Sequence, residues 1–426
     1  MSSRADSLPL AVVAGHICLD IFPDLSRWSL RSAADFFAPG TLKECGPAEI
    51  STGGAVSNTG LNLVKLGIPA ALMGKVGRDP FGQLVRALLR ERFGVREGLL
   101  EYPRGVTSYT VVLSAPGFDR MFLHCPAAND TFCAADVDYE LIGRAALFHF
   151  GYPPLMRRMY ENEGAELVEL FRRARAAGAT TALDMSLPDP ASPSGRAPWR
   201  ALLARVLPNV DLFLPSFEET LFMLAPERFQ AWRRAGVDMV EAVSGDELHG
   251  LSETLLGFGA GVVGIKTGRR GWYVRSGGAE RMAAFGRARP GEAASFVRRE
   301  FWTPALRVET FAGATGAGDA SIAGFLAAFL RGRSLDDCVA RAVAAGALNV
   351  TRPDALSGIR DWDDLEARLA AGWPALPLEV AGRGWRRDPA AAQRWLGPAD
   401  EARRASQRRG GAQSGPTACR TKKKTA

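Results

Sequence analysis

Gly313-Ala314-Thr315-Gly316-Ala317-Gly318-Asp319-Ala320 places three glycines and one carboxylate directly ahead of Ile322, Phe325, Leu326, Phe329 and Leu330. That spacing, i, i+3, i+4, i+7, i+8, predicts an amphipathic helix over residues 317–331. An extended segment, residues 306–310, leads into the loop. Backbone N–H groups left free at the start of such a helix, together with its positive dipole end, make an anion site. The Gly313…Gly318 spacing imitates a phosphate-binding P-loop, but Asp319-Ala320 stands where such a loop carries Lys-Ser/Thr. A carboxylate aimed at a phosphate repels it. Beside an anion hole it can instead take the proton from a hydroxyl, while the N–H groups hold the charge on a transferred phosphoryl group. Acidic residues favour the first turn of any helix, so Asp319 alone also has a purely structural reading. The compressed Gly-Ala-Gly is poorly explained that way.

A second cluster is Gly53-Gly54-Ala55-Val56-Ser57-Asn58. Two glycines before a helix permit close approach of a ligand to the backbone. Asn58 and Asn62, four apart, share a helix face and offer both donors and acceptors. Read alone, the cluster is equally a turn followed by a polar helix face. Asp20 closes the expected first strand, where ligands sit in open α/β sheets. Gly257-Phe258-Gly259-Ala260-Gly261 suggests a dinucleotide loop, but it precedes a strand rather than joining a strand to a helix, so it reads as a helix-to-strand turn. A dinucleotide oxidoreductase therefore lacks its fingerprint.

These residues need a frame to hold them. Strands are expected over residues 10–18, 70–76, 108–114, 121–125, 145–150, 180–185, 212–215, 261–266 and 272–276. Helices are expected over 56–66, 81–93, 164–176, 199–206, 335–349 and from 218 onward. The alternation predicts a mainly parallel sheet covered by helices on both faces. Residues 24–50 read as long and irregular, 186–198 as a Pro- and Ser-rich loop, and 279–304 as an insertion. Periodicity fades after residue 375. The expected organisation is a domain over 1–375 and a C-terminal extension over 376–426, disordered from about 401.

Composition removes several classes. The 426 residues are 47% hydrophobic and 23% charged, as in a globular protein. The net charge of +7 invites a nucleic-acid reading, but residues 401–426 hold eight basic residues and one acid, leaving 45 of each sign in residues 1–400. The excess belongs to the tail, and nucleic-acid binding is not expected of the domain. No apolar run reaches the roughly 20 residues of a membrane span. The run 8–19 reads as a buried strand rather than a signal peptide. The six cysteines are scattered, with no Cys-x-x-Cys, which argues for reduced thiols and a cytoplasmic location. The four histidines are isolated and no zinc site is visible.

Taken together, the motifs resemble those of the ribokinase-like carbohydrate kinases, the PfkB family. Gly53–Gly67 with Gly74-Lys75-Val76-Gly77-Arg78-Asp79-Pro80-Phe81-Gly82 is similar to the family's N-terminal signature. Thr315-Gly316-Ala317-Gly318-Asp319-Ala320 is similar to its C-terminal one, and the order of elements fits over roughly 8–370. The resemblance implies an α/β three-layer sandwich with a small β lid built from early insertions. It implies ATP-dependent phosphorylation of a sugar hydroxyl with Mg²⁺. Asp319 matches the catalytic base, and Gly316, Ala317 and Gly318 match the anion hole. Asp20, Gly53, Gly54 and Asn58 match the sugar-binding positions, and Asn129 resembles a residue bordering the sugar. For the nucleotide side, Lys266, Gly268 and Gly271 resemble a phosphate turn, with Lys266 in the place of a Thr. Asn349 falls where the adenine pocket closes, and Asp184 resembles an Asp near the phosphates. The Asn-x-x-Glu motif appears as Ser216-Phe217-Glu218-Glu219, with Ser216 replacing the Asn and Glu219 matching the residue that organises Mg²⁺, through water. Gly313 replaces an Asp tied to monovalent-cation activation. A homodimer through the lid is a further expectation. Two alternatives stay open: a nucleoside kinase of the same fold, which the aromatics Trp28, Phe36 and Phe37 would allow, and a non-catalytic sugar- or nucleotide-binding regulator.

Overall fold

A computed structural model describes residues 8–28, 39–94, 98–117 and 121–400. Phe36, Phe37 and the basic tail from 401 lie outside the described residues, as does the expectation of tail disorder. The strands in chain order are β1 (Ala11–Gly15), β2 (Cys18–Asp24), β3 (Gly46–Gly53), β4 (Ala70–Met73), β5 (Lys75–Gly77), β6 (Leu100–Tyr102), β7 (Tyr109–Leu113), β8 (Met121–Cys125), β9 (Leu147–Gly151), β10 (Thr180–Asp184), β11 (Leu212–Phe213), β12 (Val262–Lys266), β13 (Trp272–Ser276), β14 (Glu300–Thr303), β15 (Arg386–Asp388) and β16 (Ala391–Leu396).

Ten of them form one sheet in the order β15-β16-β14-β13-β12-β11-β10-β9-β1-β4. The run from β12 to β4 is parallel. The run from β12 to β15 is antiparallel. Strands buried on both faces read as continuous apolar runs, and β1 shows why. Ala11 and Val13 pack with one core, Val12 and Ala14 with the other. Helices Ala55–Lys65, Ala317–Leu330 and Leu335–Asn349 cover the first face. Helices Ala165–Ala176, Trp199–Val206, Phe217–Leu224 and Gly245–Gly257 cover the second. The expected three-layer α/β arrangement is therefore present.

Helix Ala317–Leu330 differs from its expected amphipathic form. Every residue from Asp319 to Leu330 is buried, as in a helix enclosed on all sides. Its small residues let helix Leu335–Asn349 approach: a Cβ on Gly324 would sit 2.4 Å from the Arg341 carbonyl oxygen.

A second, four-stranded sheet, β3-β2-β7-β8, forms the lid. Three expectations need correction around it. The run 10–18 is not one strand, because the chain leaves the central sheet at Gly15, with φ of +122°, and enters the lid at Cys18. Asp20 consequently stands within lid strand β2 and does not close β1. The run 70–76 breaks likewise into β4 and β5, which pairs with β6. The interval 24–50 contains most of β3, which pairs with β2 from Cys18↔Gly53 to Asp24↔Gly46. Its outer half, with Pro47, Ala48 and Glu49, is exposed, so no apolar alternation marks it.

The far edge brings two further corrections. The expected insertion 279–304 contains β14, a buried strand of the central sheet. The extension beyond 375 supplies β15 and β16, with Trp302 opposite Trp395 and Phe301 opposite Leu396. A buried polar network fastens them: Asp400 accepts from Arg299 Nε at 2.8 Å and from the Glu300 amide at 3.1 Å. Glu300, fully buried, accepts from Tyr273 at 2.7 Å and from the Ala399 amide at 2.8 Å, and lies 2.8 Å from His249 Nδ1. The sheet thus runs through residue 396, past the boundary expected at 375. No helix among the described residues is long and apolar enough to cross a membrane.

Candidate active site

The glycine-rich loop ends at Gly316, whose φ of +71° makes it a left-handed N-cap without any side-chain cap. Ala355 blocks any larger residue there, since a Cβ on Gly316 would lie 2.3 Å from its Cβ. Of the first N–H groups of helix Ala317–Leu330, that of Ala317 donates to the Ala314 carbonyl at 3.2 Å, and those of Gly318 and Asp319 keep their donors for a ligand. Asp319 follows in the first turn and is 2% exposed.

Its carboxylate is not a free helix-start acid. Oδ2 accepts from Tyr152 at 2.6 Å and from Asn58 Nδ2 at 3.1 Å. Oδ1 accepts from Thr59 at 3.2 Å. Helix Ala55–Lys65 thus supplies two of three donors, and the end of β9 supplies the third. Burial raises the Asp319 pKa, while these donors and the Lys266 charge pull it back down. Uncharged donors that stabilise the ionised form keep a buried carboxylate usable as a base.

Lys266, at the end of β12, lies beneath the loop. Its Nζ is 2.6 Å from Asp184 Oδ1 at the end of β10, and a Cβ on Gly318 would lie 3.7 Å from Nζ. Burial pulls the ammonium down, but the Asp184 and Glu219 charges raise it above its ordinary value. Burial raises Asp184, with Lys266 opposing. A cation therefore sits under the uncapped helix start. Beside it, on β9, His149 is fully buried with neither ring nitrogen bonded. Burial and the Lys266 charge lower its pKa to about 3, so it is neutral.

Other expected positions fall into place unevenly. A Cβ on Gly53 would lie 2.0 Å from Asp20 Oδ2, so the missing side chain makes room for that carboxylate. A Cβ on Gly54 would lie 2.5 Å from His16 Nδ1. Asn349 donates to the Thr315 carbonyl at 2.7 Å, holding the loop, and its Oδ1 is buried and unbonded. Gly268 and Gly271, at φ of +50° and +93°, shape the turn that joins β12 to β13. Ser216 and Glu219 form a capping box: the Ser216 amide donates to Glu219 Oε2 at 2.7 Å, and Ser216 Oγ accepts from the Glu219 amide at 3.3 Å. Asn129 is fully buried. Its amide donates to the Ile17 carbonyl at 2.9 Å and accepts from the Ile17 amide at 3.3 Å. These bonds satisfy the Ile17 backbone at the crossing from β1 to β2, while the His16 amide donates to the Gly151 carbonyl at 3.2 Å.

The sequence reading missed a polar chain that joins the lid to the sheet. Cys18 Sγ donates to Asp20 Oδ1 at 3.1 Å. Thr110, opposite Asp20 on β7, lies 3.7 Å from Cys18 Sγ and 3.1 Å from His124 Nδ1. His124 Nε2 meets His16 Nε2 at 3.3 Å, and the His16 ring lies 6.0 Å from that of Tyr152. Burial lowers both histidine pKa values, so one neutral ring donates to the other. The lone histidines gave no spacing signal, because 108 residues separate the pair. Tyr152 had a weak one, a Gly-Tyr-Pro-Pro break at a strand end. Among the described residues, no three His, Cys, Asp or Glu side chains converge on a metal.

A wider cleft of about 1440 Å³ lies between the lid and the C-terminal end of helix Ala55–Lys65. Phe22, Pro23, Ile50, Pro116, Val64 and Leu356 are among the residues lining it. Phe22 follows Asp20 by two on β2 and so shares its face.

Comparison with known proteins identifies this assembly. The sequence model of the "pfkB family carbohydrate kinase" matches residues 18–362. Fructokinase-1 of Oryza sativa subsp. japonica is 29% identical over 244 residues, 57% of this chain and 66% of that protein. Fructokinase-1 of Zea mays is 30% identical over 235 residues, 54% of this chain and 64% of that protein. The chain thus matches just under two thirds of the length of these relatives. Among solved structures, Arabidopsis thaliana ribokinase complexed with ribose and ATP aligns with a TM-score of 0.63 at 18% identity, covering 85% of this chain and 99% of that one. Fructokinase with bound ATP from Xylella fastidiosa gives 0.60 at 20%, covering 85% and 98%. At these identities the structures establish the ribokinase-like fold. The family match, spanning most of the chain and including both glycine motifs and Asp319, establishes more: the chain belongs to the pfkB family of carbohydrate kinases.

Proposed function

We propose that the chain transfers the γ-phosphoryl group of ATP to a hydroxyl of a small sugar or sugar derivative. The observation that carries this reading is Asp319, an acid held by three donors directly beside an uncapped helix start with Lys266 beneath it. The acceptor hydroxyl gives its proton to Asp319 as its oxygen bonds the γ-phosphorus. The bond from phosphorus to the bridging oxygen breaks and its electron pair leaves with ADP. The N–H groups of Gly316 and Gly318 and the Lys266 ammonium offset the charge on the moving phosphoryl group. Asn349, through Thr315, keeps the loop in register. Glu219 spends Oε2 on its cap, so Oε1 would be the oxygen to hold Mg²⁺ through water. When bound, that ion neutralises phosphate charge.

The lid contributes the acceptor side. Asp20, Gly53, Gly54 and Asn58 line one region, and the His16–His124 contact ties lid to sheet, which favours exclusion of water during transfer. Burial raises the Asp20 pKa to about 6, with Cys18 and Thr110 opposing and the Asp319 charge adding. Below that pH Asp20 is protonated and loses acceptor capacity for sugar hydroxyls. The KM for the acceptor is therefore expected to rise as pH falls through about 6, with the KM for ATP flat. Steady-state kinetics from pH 5 to 8 check this, and an acceptor KM that does not change removes Asp20 from the sugar site.

An ADP-release screen over pentoses, hexoses, sugar acids, sugar phosphates and nucleosides tests the reaction. ADP formed from none of them, with a sugar still bound in calorimetry, would favour a non-catalytic regulator. A nucleoside acceptor is a second reading, supported by the cleft of about 1440 Å³ on the Asp20 side of the lid, whose wall mixes Phe22, Ile50 and Leu356 with Asp24, Lys65 and Asp354. The location we propose remains cytoplasmic, in line with the unpaired cysteines among the described residues.

A further inference from the structure

Tyr152 lies outside both glycine motifs. It directly follows β9 in the left-handed region, with φ of 70° and ψ of 41°. A bulky residue there is strained, and such strain persists only where the surroundings fix it. Pro153 follows and adds its own restriction on the residue before it. The Tyr152 amide lies 3.4 Å from the Asp184 carbonyl, and its carbonyl accepts from the Leu155 amide at 3.0 Å. The product of this unusual backbone is one contact: the phenol reaches Asp319 Oδ2 at 2.6 Å.

The lone pairs of Asp319 can then be assigned. Each carboxylate oxygen has two acceptor directions. Tyr152 and Asn58 fill both directions of Oδ2. Thr59 fills one of Oδ1. One direction, on Oδ1, is left for an incoming hydroxyl. We propose that Tyr152 is a positioning residue for phosphoryl transfer, occupying Oδ2 so that Oδ1 receives the acceptor's proton. This rests on Asp319 being the base of the proposed kinase reaction.

A donor on the ionised form also opposes protonation. The ionisable groups acting on the pair are Lys266, Asp184, Asp20 and Glu219, with the neutral His16 ring beside the phenol. None of the four charged groups is altered by removing one phenolic oxygen. Without that donor, burial acts with less opposition and Asp319 protonates at higher pH.

Tyr152→Phe tests the proposal. It keeps the ring and removes only the hydroxyl, and a thermal melt checks that the fold survives. Two readouts follow. In kinetics, kcat is expected to fall about 10- to 100-fold, the scale of one hydrogen bond to a charged group. The KM for ATP stays unchanged, and the acid limb of the kcat profile moves to higher pH. In carbon-13 NMR of the Asp319 carboxyl, the titration midpoint is expected to move upward, whether or not the enzyme turns over. An unchanged kcat with a lower acceptor KM would overturn the proposal, because Tyr152 would then merely occupy the acceptor's place. An unmoved NMR midpoint would overturn it too. If the unaltered chain forms no ADP from any acceptor, the kinase reading fails by itself. The NMR comparison still decides whether Tyr152 controls Asp319.

Discussion

Asp319→Asn is expected to lower turnover by about 10²- to 10⁴-fold, the usual contribution of a positioned general base. The substitution preserves most local bonds. The amide oxygen can take the Oδ2 position and accept from Tyr152 and Asn58. The amide nitrogen then faces Thr59, whose hydroxyl can rotate to accept instead of donate. What is lost is the oxygen that receives the acceptor's proton. Stability should not suffer. The folded Asp319 pKa is raised above its unfolded value, so the folded state penalises the charge at neutral pH, and a neutral Asn relieves that penalty. The expected thermal midpoint equals or exceeds that of the unaltered chain, and ATP affinity is retained. Single-turnover kinetics with a melting curve check both halves. Turnover near the unaltered rate would remove Asp319 from its role.

Deleting residues 376–426 is the second large effect. It removes β15, β16 and Asp400, leaving Arg299 without the carboxylate 2.8 Å away and Glu300 without the Ala399 amide. Arg299 keeps Asp336 at 2.7 Å, so losing Asp400 costs less than the about 3–5 kcal/mol of a fully broken buried pair; the loss of two packed strands adds to it, against the ~5–15 kcal/mol by which a domain is stable. The cut also exposes the edge of β14, with Phe301 and Trp302, inviting aggregation. The truncated chain is expected to be insoluble or to melt far below the intact one. Deleting only 401–426 keeps every hydrogen bond and strand pair described above, and kinetics and melting should match the full chain. Similar melting of both truncations would show that the far edge of the sheet contributes little.

Local chemistry decided what could be read from the sequence. The parallel strands announced themselves because both faces are buried: Ala11–Gly15 is apolar throughout, and Leu147–Gly151 is apolar except for His149. Strand β3 did not, since Pro47, Ala48 and Glu49 are exposed on a lid edge. Strands β14 and β16 were hidden because Glu300, Thr303, Gln393 and Arg394 interrupt their apolar residues. In the site, Asp319 was legible because its helix start and glycines are contiguous. Tyr152, His16 and His124 were not, because their roles arise from contacts across sheets and leave no local spacing. Asn129 stood out as part of a family-like segment, but its contact with the Ile17 backbone, 112 residues away, left no trace in local spacing.

The contact between Asn58 and Asp319 joins residues 261 apart in the chain, and Lys266 meets Asp184 across 82. Closing such long loops carries an entropic cost before any contact rewards it, so native order in this molecule arrives late. Helices Ala55–Lys65 and Ala317–Leu330 form from local bonds, but the carboxylate acquires its donors only once the two halves of the chain have docked. In refolding, helical signal therefore precedes catalysis. An early release of the nascent chain has most of its strands and no reaction centre, so activity is a readout of complete assembly.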